Sequence, residues 1–297
     1  SSNTAVGRSA LLSNTTGTEN TAVGAFALDA NTTADSNTAV GFESLTDNTT
    51  GTNNTALGRK SLTENTTGSN NTALGISALR NNTTASNNTA VGKDSLNANT
   101  TGAFNVAVGQ GALDSCTTGE SNTALGQGTG TAITTGIKNT CIGQGTGNGV
   151  TTGDNNLFLG ANAGQAASPS GNVTTADNQI CIGNNSITNA FIKVALTVTS
   201  DQRDKIEDGV VSHGLDFVNQ LKPKSFWFRK NRDSDEKHGD KRYGFYAQDI
   251  LALEGSDSVI IDSKDSDNLK FKGDQLIPVL VNAIKELSTK VTALEAG

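Results

Sequence analysis

The chain has 297 residues, enough for one or two domains, with 29 acidic against 22 basic side chains, a net charge of −7 and a pI of about 4.9. That balance leaves no electrostatic footprint for nucleic acid or an anionic membrane, and no apolar run reaches the roughly 18 residues needed to span a bilayer; neither nucleic-acid binding nor membrane insertion is expected. Only 4% of residues are aromatic while glycine numbers 33, which excludes a conventional core of this size and leaves either disorder or a regular stack that buries small residues.

Met is absent and Ser1 falls inside a repeat unit, so the chain reads as a fragment whose N-terminal attachment region is missing. No signal peptide is present to give an address. Cys116, Cys141 and Cys181 are odd in number and far apart, which argues against a disulfide framework. Cys141 and Cys181 stand where the repeat has alanine, and so read as buried small thiols. No cofactor or metal site is expected, since His213 and His238 lack ligand spacing and read as surface residues.

The motif Asn-Thr-Ala-Val-Gly places glycine at Gly7, Gly24, Gly41, Gly58, Gly75, Gly92, Gly109, Gly126, Gly143 and Gly160, each 17 residues after the last. Leu11, Leu28, Leu45, Leu62, Leu79, Leu96 and Leu113 keep the same register. Disorder would not hold such spacing, so residues 1–160 are expected to form a β-solenoid or stacked β shaft. Thr-Ala-Val is a strand of three or four residues, Asn-Thr-Thr-Gly is turn chemistry, and stacked asparagines can form amide ladders. The glycine of each rung supplies positive φ or close backbone approach.

The expected interior of each unit is a Val/Leu and a Leu, at about 1.5–3 kcal/mol apiece against an ordering cost of about 1–2 kcal/mol per residue. Such a chain is marginal alone, and packing against identical chains is the natural remedy. Asn-Thr-Thr is also formally a glycosylation sequon at Asn14, Asn31, Asn48, Asn65, Asn82 and Asn99, but its recurrence follows from the repeat itself. Ranks of threonine on a solenoid allow an ice-binding reading, which the unlike C-terminal part disfavours. No paired carboxylates recur at fixed rungs, so a two-carboxylate glycan-cleaving centre is not indicated.

Residues 161–199 form a transition. The next Ile-Gly, at Ile182-Gly183, comes 23 residues after Gly160, so one coil is enlarged or a loop leaves the shaft. Ala190–Thr199 is apolar and β-branched, the pattern of a strand leading to the seam.

The repeat resembles the head repeat of trimeric autotransporter adhesins and repeats of bacteriophage and algal-virus fibres, which implies a trimeric β-roll. At the seam, Ser200-Asp201-Gln202-Arg203-Asp204-Lys205 resembles the opening motif of the intramolecular chaperone domain of phage tail fibres and tailspikes, the self-cleaving S74 peptidase family. The likeness continues through Gly214-Leu215-Asp216-Phe217, Leu221–Phe228, Tyr243–Asp249 and Leu276–Leu287. It implies a small α+β chaperone domain over 200–297 ending in a coiled-coil helix, with Ser200 and Lys205 as catalytic dyad and no cofactor.

The dyad makes demands of its own. A lysine of ordinary pKa, about 10.4, is protonated near neutrality and cannot take a hydroxyl proton. Burial and a positive neighbour, for which Arg203 is the candidate, must depress it. A five-residue offset puts the two side chains together on neither helix nor strand, so a turn or another subunit must do so. The competing reading is that Ser200 caps a turn, with Asp201, Arg203 and Lys205 on a solvated face. Further along, Lys230–Arg242 reads as an exposed loop and Phe226-Trp227-Phe228 as alternating strand packing.

In the tail, Ile277, Leu280, Ile284, Leu287, Val291 and Leu294 are spaced 3, 4, 3, 4, 3, as coiled-coil a and d positions, with Pro278 in the first turn. β-branched residues at a with Leu at d lean toward dimers; the family resemblance implies three chains.

The function expected from all this is a viral tail fibre, a receptor-binding homotrimer of the virion assembled in the host cytoplasm. Its C-terminal chaperone would drive trimer assembly and be removed by autoproteolysis at Ser200, a serine endopeptidase activity confined to its own chain. A host-surface glycan or protein would be the receptor, and the virion tail or baseplate the attachment point. Two rivals stay open: a cell-surface adhesin with a non-cleaving trimeriser, and a polysaccharide-degrading tailspike whose active site lies elsewhere.

Overall fold

The computed structural model describes residues 2–165, 168, 170–193, 200–207, 209–229, 233–255 and 258–297. It divides into two units, Ser1–Ser186 and Ile187–Gly297, each taken here by itself.

The first unit is a β-solenoid. Its strands, β1 (Thr4–Val6) to β11 (Ile180–Ile182), form one eleven-stranded parallel sheet in sequence order. Because the period is constant, like pairs with like: Thr21 lies opposite Thr38, Ala22 opposite Ala39, Val23 opposite Val40. The last pairing sets Phe158 opposite Cys181, so the sheet continues past Gly160 and the 23-residue step is one enlarged coil.

A three-residue strand turns its middle side chain one way and its flanks the other. The middle residue faces in: Ala22, Ala39, Ala56, Ala73, Ala90, Ala107 and Ala124 are fully buried, with Cys141, Phe158 and Cys181 in the same place further along. This corrects the expected interior, since the strand's Val or Leu lies on the outer face, as at Val6, Leu57 and Ile182. The corner leucines, Leu28 to Leu113, and two asparagines per coil already fill the inside, which leaves room at the strand for little more than a methyl group.

Those asparagines form two ladders. In the first, Asn20 Nδ2 donates to the Ala34 carbonyl at 2.8 Å and Asn20 Oδ1 accepts the Asn37 N–H at 2.9 Å; the pattern repeats each coil up to Asn156, whose Oδ1 accepts from Gln179. In the second, Asn31 Nδ2 donates to Asn14 Oδ1 at 2.8 Å, and the chain runs through Asn48, Asn65 and Asn82 to Asn99. Burial of bare amides would be costly, and the ladders remove that cost except at the end of the second, where the buried Asn99 Oδ1 has no partner because Cys116 follows it. Asn31, Asn48, Asn65, Asn82 and Asn99 are fully buried, so these sequons have no room for a glycan.

Each motif glycine allows the coils to touch. Gly24 has φ 138°, and a Cβ there would lie 2.3 Å from the Gly41 carbonyl oxygen. Toward the C-terminal coils the filling changes while its bulk is kept. Cys116, Ile133, Val150 and Val173 replace the second asparagine, and Gly130, Gly147 and Gly164 replace the corner leucine. A Cβ on Gly164 would meet the Phe158 ring at 2.4 Å, and one on Gly147 the Cys141 Sγ at 2.5 Å. At Gly147 and Gly164 the enlarged strand side chain thus occupies the space that leucine gives up, while at Gly130, whose strand residue is still Ala124, Leu113 and Ile133 close in, 3.0 and 3.2 Å from where a Cβ would stand.

The second unit joins α1 (Leu215–Gln220), an antiparallel hairpin of β12 (Lys224–Arg229) and β13 (Lys237–Gly244), α2 (Ala247–Glu254), a short pair of β14 (Ile261–Asp262) and β15 (Lys270–Phe271), and α3 (Leu276–Glu295). Phe217, Ile250, Ile260, Ile261, Leu276 and Val279 form its core. The Glu254 carboxylate closes α2 onto the next segment by accepting the N–H groups of Val259, Ile260 and Ile261.

Three expectations change here. The second half of the Lys230–Arg242 loop is strand β13, because its charges sit on a solvated two-stranded hairpin where Lys237 Nζ lies 3.9 Å from the Trp227 ring. Of the strand expected over Ala190–Thr199, residues 190–193 are irregular and 194–199 lie outside the described residues. His213 is half-buried, stacked on Phe217 at 4.3 Å, and His238 is half-buried in the hairpin.

Candidate functional site

Ser200–Lys205 is folded by its own short-range chemistry. Asp201, in extended backbone, caps a single 3-10 turn over Gln202–Asp204: its carboxylate accepts the Arg203 N–H at 2.9 Å, and the Lys205 N–H returns to the Gln202 carbonyl at 3.1 Å. The turn carries the Lys205 side chain back over Ser200, where Nζ donates to Oγ at 2.5 Å and to the Ser200 carbonyl at 3.3 Å. The five-residue offset, unsuited to helix or strand, is bridged within one chain by this tight turn.

Arg203 is turned toward Asp201: its NH2 lies 2.5 Å and its Nε 3.1 Å from the carboxylate. The guanidinium, and after it the Arg203 backbone N–H, hold the Asp201 carboxyl below the usual carboxylate range; the same contact raises Arg203. The positive neighbour expected for Lys205 therefore has an acidic partner of its own. Every residue from Ser200 to Glu207 is exposed, Ile206 at 98%, so nothing among the described residues of one chain strips water from the lysine amine.

Helix α3 has two faces. Leu276, Val279 and Ala283 are buried against the rest of the unit. Glu286 reaches the start of α1, its carboxylate accepting the Leu215 N–H at 2.8 Å, and Asn282 Nδ2 donates to the His213 carbonyl at 2.9 Å. The other face carries the heptad residues Ile277, Leu280, Ile284, Leu287, Val291 and Leu294, all exposed by between 39% and 81%. The inward face and the Glu286 cap were not read from the sequence; buried spacing at 276, 279 and 283 was the available signal.

The chain thus holds a repetitive parallel β shaft and a small α+β unit, and a serine and a lysine of that second unit are in contact near its start. Residues 200–257 match the peptidase S74 family, described as chaperone of endosialidase. That match and the 17-residue solenoid together fit a tail fibre carrying a C-terminal chaperone. The family supports a self-cleaving peptidase context. No curated protein matches the chain, and no solved structure does.

Proposed function

We propose that the protein is a viral tail fibre subunit whose C-terminal unit aligns three chains and then cuts itself free at Ser200. The carrying observation is the Lys205–Ser200 contact at 2.5 Å within a segment that matches the S74 family. The hydroxyl oxygen of Ser200 attacks a carbonyl of its own chain while Lys205 takes its proton, the same proton passes to the leaving amine as the C–N bond breaks, and water then hydrolyses the resulting ester to free the acid and regenerate the hydroxyl. In one chain the amine is solvated, so the burial it needs comes from neighbouring subunits. Cutting thereby waits for assembly.

Two uncharged surfaces support self-association. One is the heptad face of α3. The other is the outer face of the shaft sheet, from Thr4 and Val6 to Ile180 and Ile182, which carries no charged side chain along eleven rungs in a chain with 29 acids. At about 4.8 Å per rung this face runs about 50 Å. A partner must match that repeat along its whole length, and a second and third copy of the shaft do so. The assembled fibre would sit on the virion, after assembly in the host cytoplasm, and bind a host-surface glycan or protein.

Intact mass of freshly expressed protein tests the cleavage. Wild type should give two fragments, and Ser200→Ala and Lys205→Ala one full-length chain each. A wild-type chain that stays whole in an assembled trimer would favour the non-cleaving adhesin, and a Ser200→Ala chain that still splits would remove the dyad.

A further inference from the structure

The triplet Gly-Gln-Gly occurs at 109–111, 126–128 and 143–145, in three consecutive coils, and has no part in the assembly described above. In the six preceding coils the third position of the triplet holds Ser9, Phe26, Glu43, Lys60, Ser77 and Asp94. The fold does not require glycine at Gly111 or Gly128, whereas a Cβ on Gly145 would lie 2.6 Å from Asn162 Oδ1. All six of those residues hold the left-handed backbone, with φ between 52° and 60°, and a Cβ on Gly111 would meet nothing within 4 Å. On Gly128 it would meet only a Thr131 methyl at 4.0 Å.

Removing three side chains in a row opens a trough of about 480 Å³ along the shaft. Gln110, Gln127 and Gln144 line it at one-coil intervals, with Asp94 and Asp114 beside them. Gln144 Nε2 lies 3.4 Å from Gln127 Oε1, so these two amides are in line along the shaft.

We propose that this trough binds a neutral oligosaccharide laid along the shaft axis. Each primary amide offers two donors and an acceptor, the complement of vicinal hydroxyl groups. Asp114 and Asp94, the latter paired with Lys93 at 3.2 Å, accept from hydroxyls, and the unneutralised Asp114 repels uronic or sialic acids. The glycine floor lets a sugar ring lie against the backbone. The rung rise of about 4.8 Å is close to the length of one hexose, so successive rings meet successive amides. The inference deepens the receptor-binding reading and rests on it for its biological role.

The full chain is titrated calorimetrically with maltohexaose, cellohexaose and chitohexaose, and with oligogalacturonate and calcium chloride as rival probes. At least one neutral hexamer should bind, with oligogalacturonate at least about tenfold weaker, as like-charge repulsion requires. Gln127→Ala should weaken binding about tenfold by removing an amide. Gly128→Lys should abolish it while keeping the circular dichroism of the shaft, because Lys60 already occupies the equivalent backbone position. Absence of any neutral binding, unchanged binding in Gly128→Lys, or preference for calcium or oligogalacturonate would overturn the proposal. Adsorption to a panel of bacterial and algal cells separates the two readings. Equal adsorption by wild type and Gly128→Lys removes the trough as receptor site and leaves receptor binding standing; adsorption to no cell removes receptor binding itself.

Discussion

Phe158 and Gly164 show how single residues in the shaft answer one another. In an ordinary coil the space is shared by an alanine on the strand and a leucine at the corner, as with Ala22 and Leu28. Here a ring takes both shares, and a Cβ on Gly164 would fall 2.4 Å from it. Phe158→Ala should cost about 3–5 kcal/mol in denaturant unfolding of the shaft. Gly164→Leu alone should also destabilise, yet the double variant should recover much of the loss, since it rebuilds the common pair. Strictly additive losses would refute the shared-volume account. The cysteines sit in the same dry interior: burial pushes the Cys141 thiol up to about 12 and Cys116 to about 11. Neither should react with iodoacetamide at pH 8 until the shaft is unfolded, which mass spectrometry can follow.

At the scale of the coil, charge rather than volume is the weak point. Asp29 and Asp47 have carboxyl groups held above their ordinary value, first by burial, and then by Asp47 for Asp29 and by Glu64 and Glu43 for Asp47. Lys60, bonded to Glu43 at 3.2 Å, relieves only part of this. A carboxyl raised in the folded state binds its proton more tightly there than in the unfolded chain. The stability that protonation confers is therefore complete below the ordinary value and is lost as pH rises through the raised one. Lowering the pH from 7 to about 4.5 should raise the contribution of these coils, and Asp47→Asn should raise the shaft Tm at pH 7 while shrinking the gain on acidification. An Asp47→Asn Tm below wild type at pH 7 would refute it.

The coil also shows what a sequence can and cannot convey. Spacing of 17 placed the ten shaft strands from β1 to the one at Leu157–Leu159, because position in a repeat survives substitution; β11, after a step of 23, was left open. Which side of a three-residue strand faces inward was not legible, since Val looks more like core than Ala until the leucine and asparagines inside have been counted. Nor was the left-handed backbone at Leu28 and its equivalents, a conformation that leucine disfavours and that packing imposes. At the seam, proximity of Ser200 and Lys205 required a turn that their spacing demanded but could not describe.

For the whole molecule, the proposed assembly rests on surfaces that a single chain leaves open. Leu57→Glu with Leu74→Glu places charge on the outer sheet face without touching the interior. By light scattering, full-length Ser200→Ala protein should be a trimer, and the same protein with both glutamates should dissociate more readily while keeping its circular dichroism. Unchanged association would move the contact elsewhere. One last property follows from the ladders. Asn37 offers to Asn54 what Asn20 offers to Asn37, and each coil receives from below the groups it presents above. Fibre length is consequently a modular quantity: excising one whole period, such as residues 42–58, rejoins the chain without a scar, whereas removing one residue more or fewer breaks the phase. Unequal recombination between repeats could lengthen or shorten this rod in whole steps without redesigning either end.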